Sequence, residues 1–114
     1  MEIQQIQKEV CLKYETNFYI SESSLKLGIS ENVTQGILPV NGLRIKPEGD
    51  TVGWYIWAGE EMSQDPEFFR PLHVTHIKEI APQIEKYLGL PPGWRFLIAE
   101  EYEDVWFDSE LLQK

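Results

Sequence analysis

Apolar residues recur along this chain at two different spacings, and those spacings predict its elements. Ile3, Ile6, Val10 and Tyr14 fall three and four apart, the period of one helix face, with Gln4, Gln7, Lys8 and Glu9 outside. An amphipathic N-terminal helix is expected. From Asn17 to Val40 the pattern is irregular, and Ser21-Glu22-Ser23-Ser24 can cap a short helical turn through Leu27 that Gly28 ends. Leu43-Arg44-Ile45-Lys46 alternates apolar with basic, meets the turn formers Pro47-Glu48-Gly49-Asp50, and resumes at Val52 to Ala58 with β-branched and aromatic residues. That is the pattern of a hairpin, with Val52, Trp54, Ile56 and Ala58 on one face and Tyr55 and Trp57 on the other.

Ser63-Gln64-Asp65-Pro66-Glu67 carries helix-start chemistry and predicts a short helix around Phe68 and Phe69. A longer helix is expected from Pro71 to Leu88, with Ile77, Ile80, Ile84 and Leu88 as its apolar stripe and Gly89 as its stop. Pro82 removes one backbone donor inside that span, so a kink or break is expected near Glu79. Pro91-Pro92-Gly93 then turns the chain into the apolar strand Trp94 to Ala99. An acidic turn from Glu100 to Asp104 leads to a final strand or edge at Val105-Trp106-Phe107. Strands gathered in pairs around a helix predict an α+β fold, an antiparallel or mixed sheet with helices packed mainly on one face. At 114 residues, one core and a single domain over residues 1–114 are expected.

Two segments echo each other. Gly53-Trp54-Tyr55-Ile56-Trp57-Ala58-Gly59-Glu60-Glu61 and Gly93-Trp94-Arg95-Phe96-Leu97-Ile98-Ala99-Glu100-Glu101 align without gaps and share the glycine, the tryptophan and both glutamates. Two buried strands that each start at a turn glycine and end in a solvated acidic loop account for the match. If the strands run parallel in space, all four carboxylates gather at one edge. Trp54 and Trp94 are expected to be buried.

Charge changes the picture more than composition does. The net charge is −9, with seven acids against five bases through Gly59 and twelve against five from Glu60 onward. Such a surface repels phosphate backbones and anionic lipid, which argues against nucleic acid and membrane partners and favours a basic protein or a cation. No apolar run is long enough to span a bilayer, and Met1-Glu2-Ile3-Gln4-Gln5 lacks the order of a secretion signal. Cys11 is the only cysteine, so no internal disulfide forms, and a cytoplasmic location is expected. With no activating motif around it, Cys11 reads as a small apolar residue.

The candidate chemistry is sparse. His73 and His76, three apart, would share a helix face with Glu79 one turn on, and an imidazole pair with a carboxylate can ligate zinc. That is the alternative reading, a small hydrolase or metal-dependent enzyme, and it requires both imidazoles to converge with an acid around a concave site. Glu100, Glu101, Glu103, Asp104, Asp108 and Glu110 crowd one stretch, but the spaced acids and central glycine of a calcium loop are absent. No phosphate loop and no Gly-x-Ser-x-Gly elbow occurs. No metal and no cofactor is expected.

The segment Gly93-Trp94-Arg95-Phe96-Leu97 followed by acids resembles the Gly-Trp-Arg-Phe then Gly-Asp-Glu pattern of a bacterial family first catalogued as a domain of unknown function. Its members were later classed as immunity proteins of polymorphic toxin systems, family thirty-three. The resemblance covers roughly the last sixty residues, and the chain departs from it at Ala99 and Glu100, where the family tends to have Gly and Asp. It implies a non-catalytic protein that binds a toxin and blocks it. The acidic surface agrees, since an acidic inhibitor is steered toward a basic toxin domain. The partner-binding residues expected on this reading are Glu60, Glu61, Asp65, Glu67, Glu100, Glu101, Glu103, Asp104, Trp106 and Asp108. Trp106, flanked by Val105 and Phe107, is expected to point outward as an apolar anchor, with Trp57 as a second.

Overall fold

The computed structural model describes residues 3–60 and 67–113. Its centre is a six-stranded mixed sheet. Strands β1 (Lys26–Ser30), β2 (Val40–Arg44), β3 (Thr51–Ala58), β4 (Phe69–His73), β5 (Trp94–Ala99) and β6 (Tyr102–Phe107) lie in the order β4-β1-β3-β2-β5-β6. Only β1 and β3 are parallel; every other neighbouring pair is antiparallel. Helix α1 (Ile3–Lys13), helix α2 (Ile77–Ile80) and the 3₁₀ turns at Glu31–Gln35, Val74–His76 and Pro82–Tyr87 place their buried residues in one apolar cluster. That cluster meets the sheet face carrying Leu27, Ile29, Val40, Val52, Trp54, Ile56, Phe96 and Val105. The chain therefore has the expected α+β fold with helices on one face. By strand alternation Leu43, Tyr55, Trp57, Leu97 and Trp106 lie on the opposite face.

The two hairpins form where turn chemistry and alternation agree. β2 begins at Val40, earlier than expected, and β6 begins at Tyr102, so the acidic turn shrinks to Glu100-Glu101. Two expected elements are corrected. The helical turn through Leu27 is strand β1, and Gly28 does not stop a helix: the Tyr55 ring lies 2.8 Å from where a Cβ would sit. The helix from Pro71 is replaced at its start by β4, where Pro71 lies on an outermost strand that tolerates the missing N–H. The break expected near Glu79 does occur, at Ala81, whose extended φ of −149° resets the helical phase. Ile77, Ile84 and Leu88 are fully buried, whereas Ile80 is 42% exposed. The short helix expected at Ser63 lies largely outside the described residues, and Phe69 opens β4. In α1, Gln7 is buried with Cys11, because its Nε2 donates to the Glu85 carbonyl at 2.8 Å.

Arg44, the first basic residue of the Leu43-Arg44-Ile45-Lys46 alternation, is not a surface cation. It is fully buried, in phase with Trp54 on the core face. Its Nε donates to the Val52 carbonyl (2.8 Å), its Nη1 to those of Tyr19 (2.9 Å), Leu90 (2.8 Å) and Leu88 (3.3 Å), and its Nη2 to that of Ile20 (3.1 Å). The Tyr19 ring stands 4.8 Å from the guanidinium carbon. Burial pulls the group down to about 10, opposed by Tyr19, so it stays charged at neutral pH. No carboxylate pairs with it among the described residues. Carbonyl oxygens replace its water, and two irregular segments, around Tyr19-Ile20 and Leu88–Leu90, are tied to β3 through one side chain. Arg44→Lys offers three donors in no planar fork and strands several buried carbonyls. It is expected to lower the unfolding free energy by about 3 kcal/mol, read as a lower urea midpoint at unchanged slope.

Candidate protein-binding surface

The two echoing strands are equivalent in space. β2 separates them and pairs antiparallel with both, so β3 and β5 point the same way. Their registers also coincide: Val40 faces Ala58 on one side and Ile98 on the other, Gly42 faces Ile56 and Phe96, and Leu43 faces Tyr55 and Arg95. These are the partners that the ungapped alignment matches. Each strand is entered through a glycine at positive φ, Gly53 at +92° and Gly93 at +97°. A Cβ at Gly53 would sit 2.1 Å from the Ile45 oxygen, which requires glycine there. Trp54 is fully buried and donates its Nε1 to the Leu88 carbonyl at 3.1 Å, while Trp94, nearer the β6 edge, is half-buried.

Coinciding directions bring Glu60 and the Glu100-Glu101 turn to the same end of the sheet, on either side of the start of β2. All three are exposed. β1 also ends there, since it runs parallel to β3 with Ile29 opposite Ile56, and Glu31 follows it. Glu67, exposed, precedes β4, which enters the sheet at the same end with Phe69 opposite Ser30. Glu61 and Asp65 lie outside the described residues. A hollow of about 280 Å³ beside the 100–101 turn is lined by Lys86, Tyr87, Ile98, Tyr102 and the carboxylates of Glu100, Glu101 and Glu103.

The remaining candidates are divided by their hydrogen bonds. Glu103 points to the helical side and is held there. Its Oε1 accepts from the Tyr87 hydroxyl at 2.5 Å and its Oε2 from the Tyr14 hydroxyl, with Lys13 Nζ at 3.1 Å and Lys86 Nζ at 3.8 Å. Asp108 accepts from the Glu110 backbone N–H at 3.1 Å, capping the 3₁₀ turn Ser109–Leu112, and pairs with Arg95 Nη1 at 3.2 Å. Asp104 is exposed on β6. Trp106 does lie opposite Val105, but it is half-buried beneath the Arg95 guanidinium, 5.4 Å from its ring. Trp57 is 4% exposed, set edge-on to Phe69 at 6.3 Å, and so presents no anchor to a partner. Tyr102 and Phe107, which the pattern did not single out, are the exposed aromatics of β6 at 57% and 50%.

His73 closes β4 and His76 sits in the following 3₁₀ turn, so they do not share a helix face. Their rings are 6.3 Å apart, both are exposed, and His76 Nδ1 is 3.6 Å from Glu79. Among the described residues no three His, Cys, Asp or Glu side chains converge to hold a metal, and no helix is long and apolar enough to cross a membrane.

The model of the Imm33-like domain, an immunity-protein family, matches residues 6–108. The chain belongs to the Imm33-like family. The match takes in most of α1 and all six strands, well beyond the Gly93-Trp94-Arg95-Phe96 segment that resembles the family on its own. No curated protein and no solved structure matches the chain.

Among the described carboxylates of this Imm33-like domain, Glu103 is the one whose chemistry is most altered. Burial alone would raise its pKa. Hydrogen bonds from Tyr14, Tyr87 and Lys13, with the Lys13 charge, outweigh burial and bring it from the ordinary 4.5 down to about 2. A carboxyl depressed in the folded state adds stability above pH 4.5 that disappears as pH falls toward 2. Glu103→Gln is expected to cost about 2 kcal/mol at pH 7 and much less at pH 3, where wild type has lost most of the same contribution. Denaturant titrations of both proteins at the two pH values check this.

Proposed function

We propose that this Imm33-like domain is a toxin-neutralising immunity protein that acts without catalysis, by covering a basic surface of its toxin with the acidic end of its sheet. The observation that carries the reading is the coincidence of direction and register between β3 and β5, which gives Glu60, Glu100 and Glu101 a common rigid base. Family membership supplies the protein partner. A surface on strand ends keeps its shape on binding better than one on a long loop, and exposed carboxylates there steer a basic partner and set the salt dependence of encounter.

Of the residues expected to bind, Glu60, Glu67, Glu100, Glu101 and Asp104 suit this role. Glu61 and Asp65 extend the same acidic run in sequence and belong to the proposal on that ground. Glu103 and Asp108 act one step behind, holding β6 to the helices and to β5. Trp106 supports Arg95 from the far face.

The test is co-expression and binding with a candidate toxin domain, sought first in the gene beside this chain's. The wild-type chain is expected to protect. Replacing Glu60, Glu100 and Glu101 together by Gln is expected to leave the melting temperature within about 3 °C while weakening binding at least about tenfold at low salt. Unchanged affinity in that triple variant sinks the assignment of the surface.

A further inference from the structure

The two outermost strands of the sheet are built differently. β4 carries Pro71 and Arg70, the two devices, proline and a basic side chain, that discourage another chain from pairing along an edge. β6 carries neither. It has six residues, none of them proline, paired one to one with β5 from Trp94↔Phe107 to Ala99↔Tyr102 without a bulge. Among the described residues its outer backbone groups bond to nothing: β6 pairs only with β5, and no other backbone or side-chain bond reaches its main chain. Tyr102 and Phe107, at its two ends, are the half-exposed aromatics that flank this open edge.

Charge says what the edge admits. From Phe96 through Gln113 the chain has no lysine, arginine or histidine, while Glu100, Glu101 and Asp104 are exposed and make no ion pair among the described residues. Two copies aligned edge to edge would oppose like charges, which disfavours self-pairing. A strand with alternating lysine or arginine meets the opposite sign. Resting on the reading that this chain binds a toxin, we propose that β6 is the docking edge, and that a basic extended segment of the toxin adds to it as a seventh strand. Main-chain hydrogen bonds supply the hold, Tyr102 and Phe107 cover the ends, and Asp104 with the Glu100-Glu101 turn selects basic side chains.

The probe is an end-blocked peptide alternating lysine and valine, as long as the six residues of β6, with an alternating glutamate and valine peptide as its control. With labelled intact protein, the lysine peptide is expected to shift β6 amide resonances and to slow exchange at alternate β6 amides, less so as salt rises; the control peptide does neither. Glu101→Lys with Asp104→Lys is expected to weaken the lysine peptide roughly tenfold and to admit the glutamate peptide instead. No response, a response at β4, or equal responses to both peptides overturns the proposal. The toxin domain separates the two readings. If it binds but leaves alternate β6 amides exchanging freely, the strand addition falls and the acidic-end reading stands. If it does not bind, that reading falls and the peptide result decides the edge by itself.

Discussion

A single buried cation ties two irregular stretches of this protein to its sheet. Arg44 leaves the end of β2 on the core side and spends its guanidinium on five main-chain carbonyls, from Tyr19, Ile20, Val52, Leu88 and Leu90. Segments of this kind cannot satisfy their own carbonyls, and an unmet buried acceptor costs about 1–3 kcal/mol. The Leu88 oxygen also accepts from Trp54 Nε1 and from the Ser21 hydroxyl at 2.6 Å, so three elements converge on one atom. Removing the guanidinium would free the loop after the 3₁₀ turn Pro82–Tyr87 and the approach to β1 together. The sheet's helical face is closed by this polar knot as much as by its apolar cluster.

The symmetry of β3 and β5 about β2 gives the sheet two different ends. At the entering end the glycines Gly53 and Gly93 allow close approach: Ile45 N–H reaches the Gly53 carbonyl at 2.9 Å and Gly93 N–H reaches the Arg44 carbonyl at 2.7 Å. That end is locked by the same strand that carries Arg44. The opposite end is held by Gly59 N–H on the Pro39 carbonyl at 2.8 Å and by Asn41 Nδ2 on the Gly59 carbonyl at 2.7 Å, and the acids stand exposed on it. Close backbone approach at one end and exposed acids at the other are two consequences of one repeated strand pattern.

Much of this was legible, and the failures share a cause. The hairpins, β5 and the N-terminal helix follow from local period and turn chemistry, and Pro82 marks a true break. β1 and β4 were missed because Lys26-Leu27-Gly28-Ile29-Ser30 and Phe69-Arg70-Pro71-Leu72-His73 carry glycine and proline that read as helix ends. They are strands because each pairs with the other, Leu27 to Leu72 and Gly28 to Pro71, and β1 also with β3. Pairing partners distant in sequence override local preference. The burial of Arg44 is not visible in the local alternation Leu43-Arg44-Ile45-Lys46, which by itself assigns the basic residues to neither face. In phase with Trp54 across the hairpin, it had to lie on the core face. For the surface, the echo pointed to the end of the sheet where Glu60 and the Glu100-Glu101 turn stand together. The role of Glu103 could not be read, since it depends on which face of β6 meets Tyr14 and Tyr87.

The distribution of charge follows from where the cations are committed. Arg44 is solvated by carbonyls, so the core recruits no carboxylate to balance it. Lys13 and Lys86 converge on Glu103, Lys26 pairs with Asp50, Arg70 with Glu31 and Arg95 with Asp108. Most of the ten basic residues are thereby engaged inside the fold or at its seams. What remains at the 100–101 turn and along the outer side of β6 is negative charge that no part of the chain neutralises among the described residues. Surface pairs contribute little to stability, so leaving those acids alone costs the fold little. Their repulsion opposes the edge-to-edge pairing that a strand without proline or bulge otherwise invites. An edge guarded by charge alone, unlike one blocked by proline, remains open to any strand of the opposite sign.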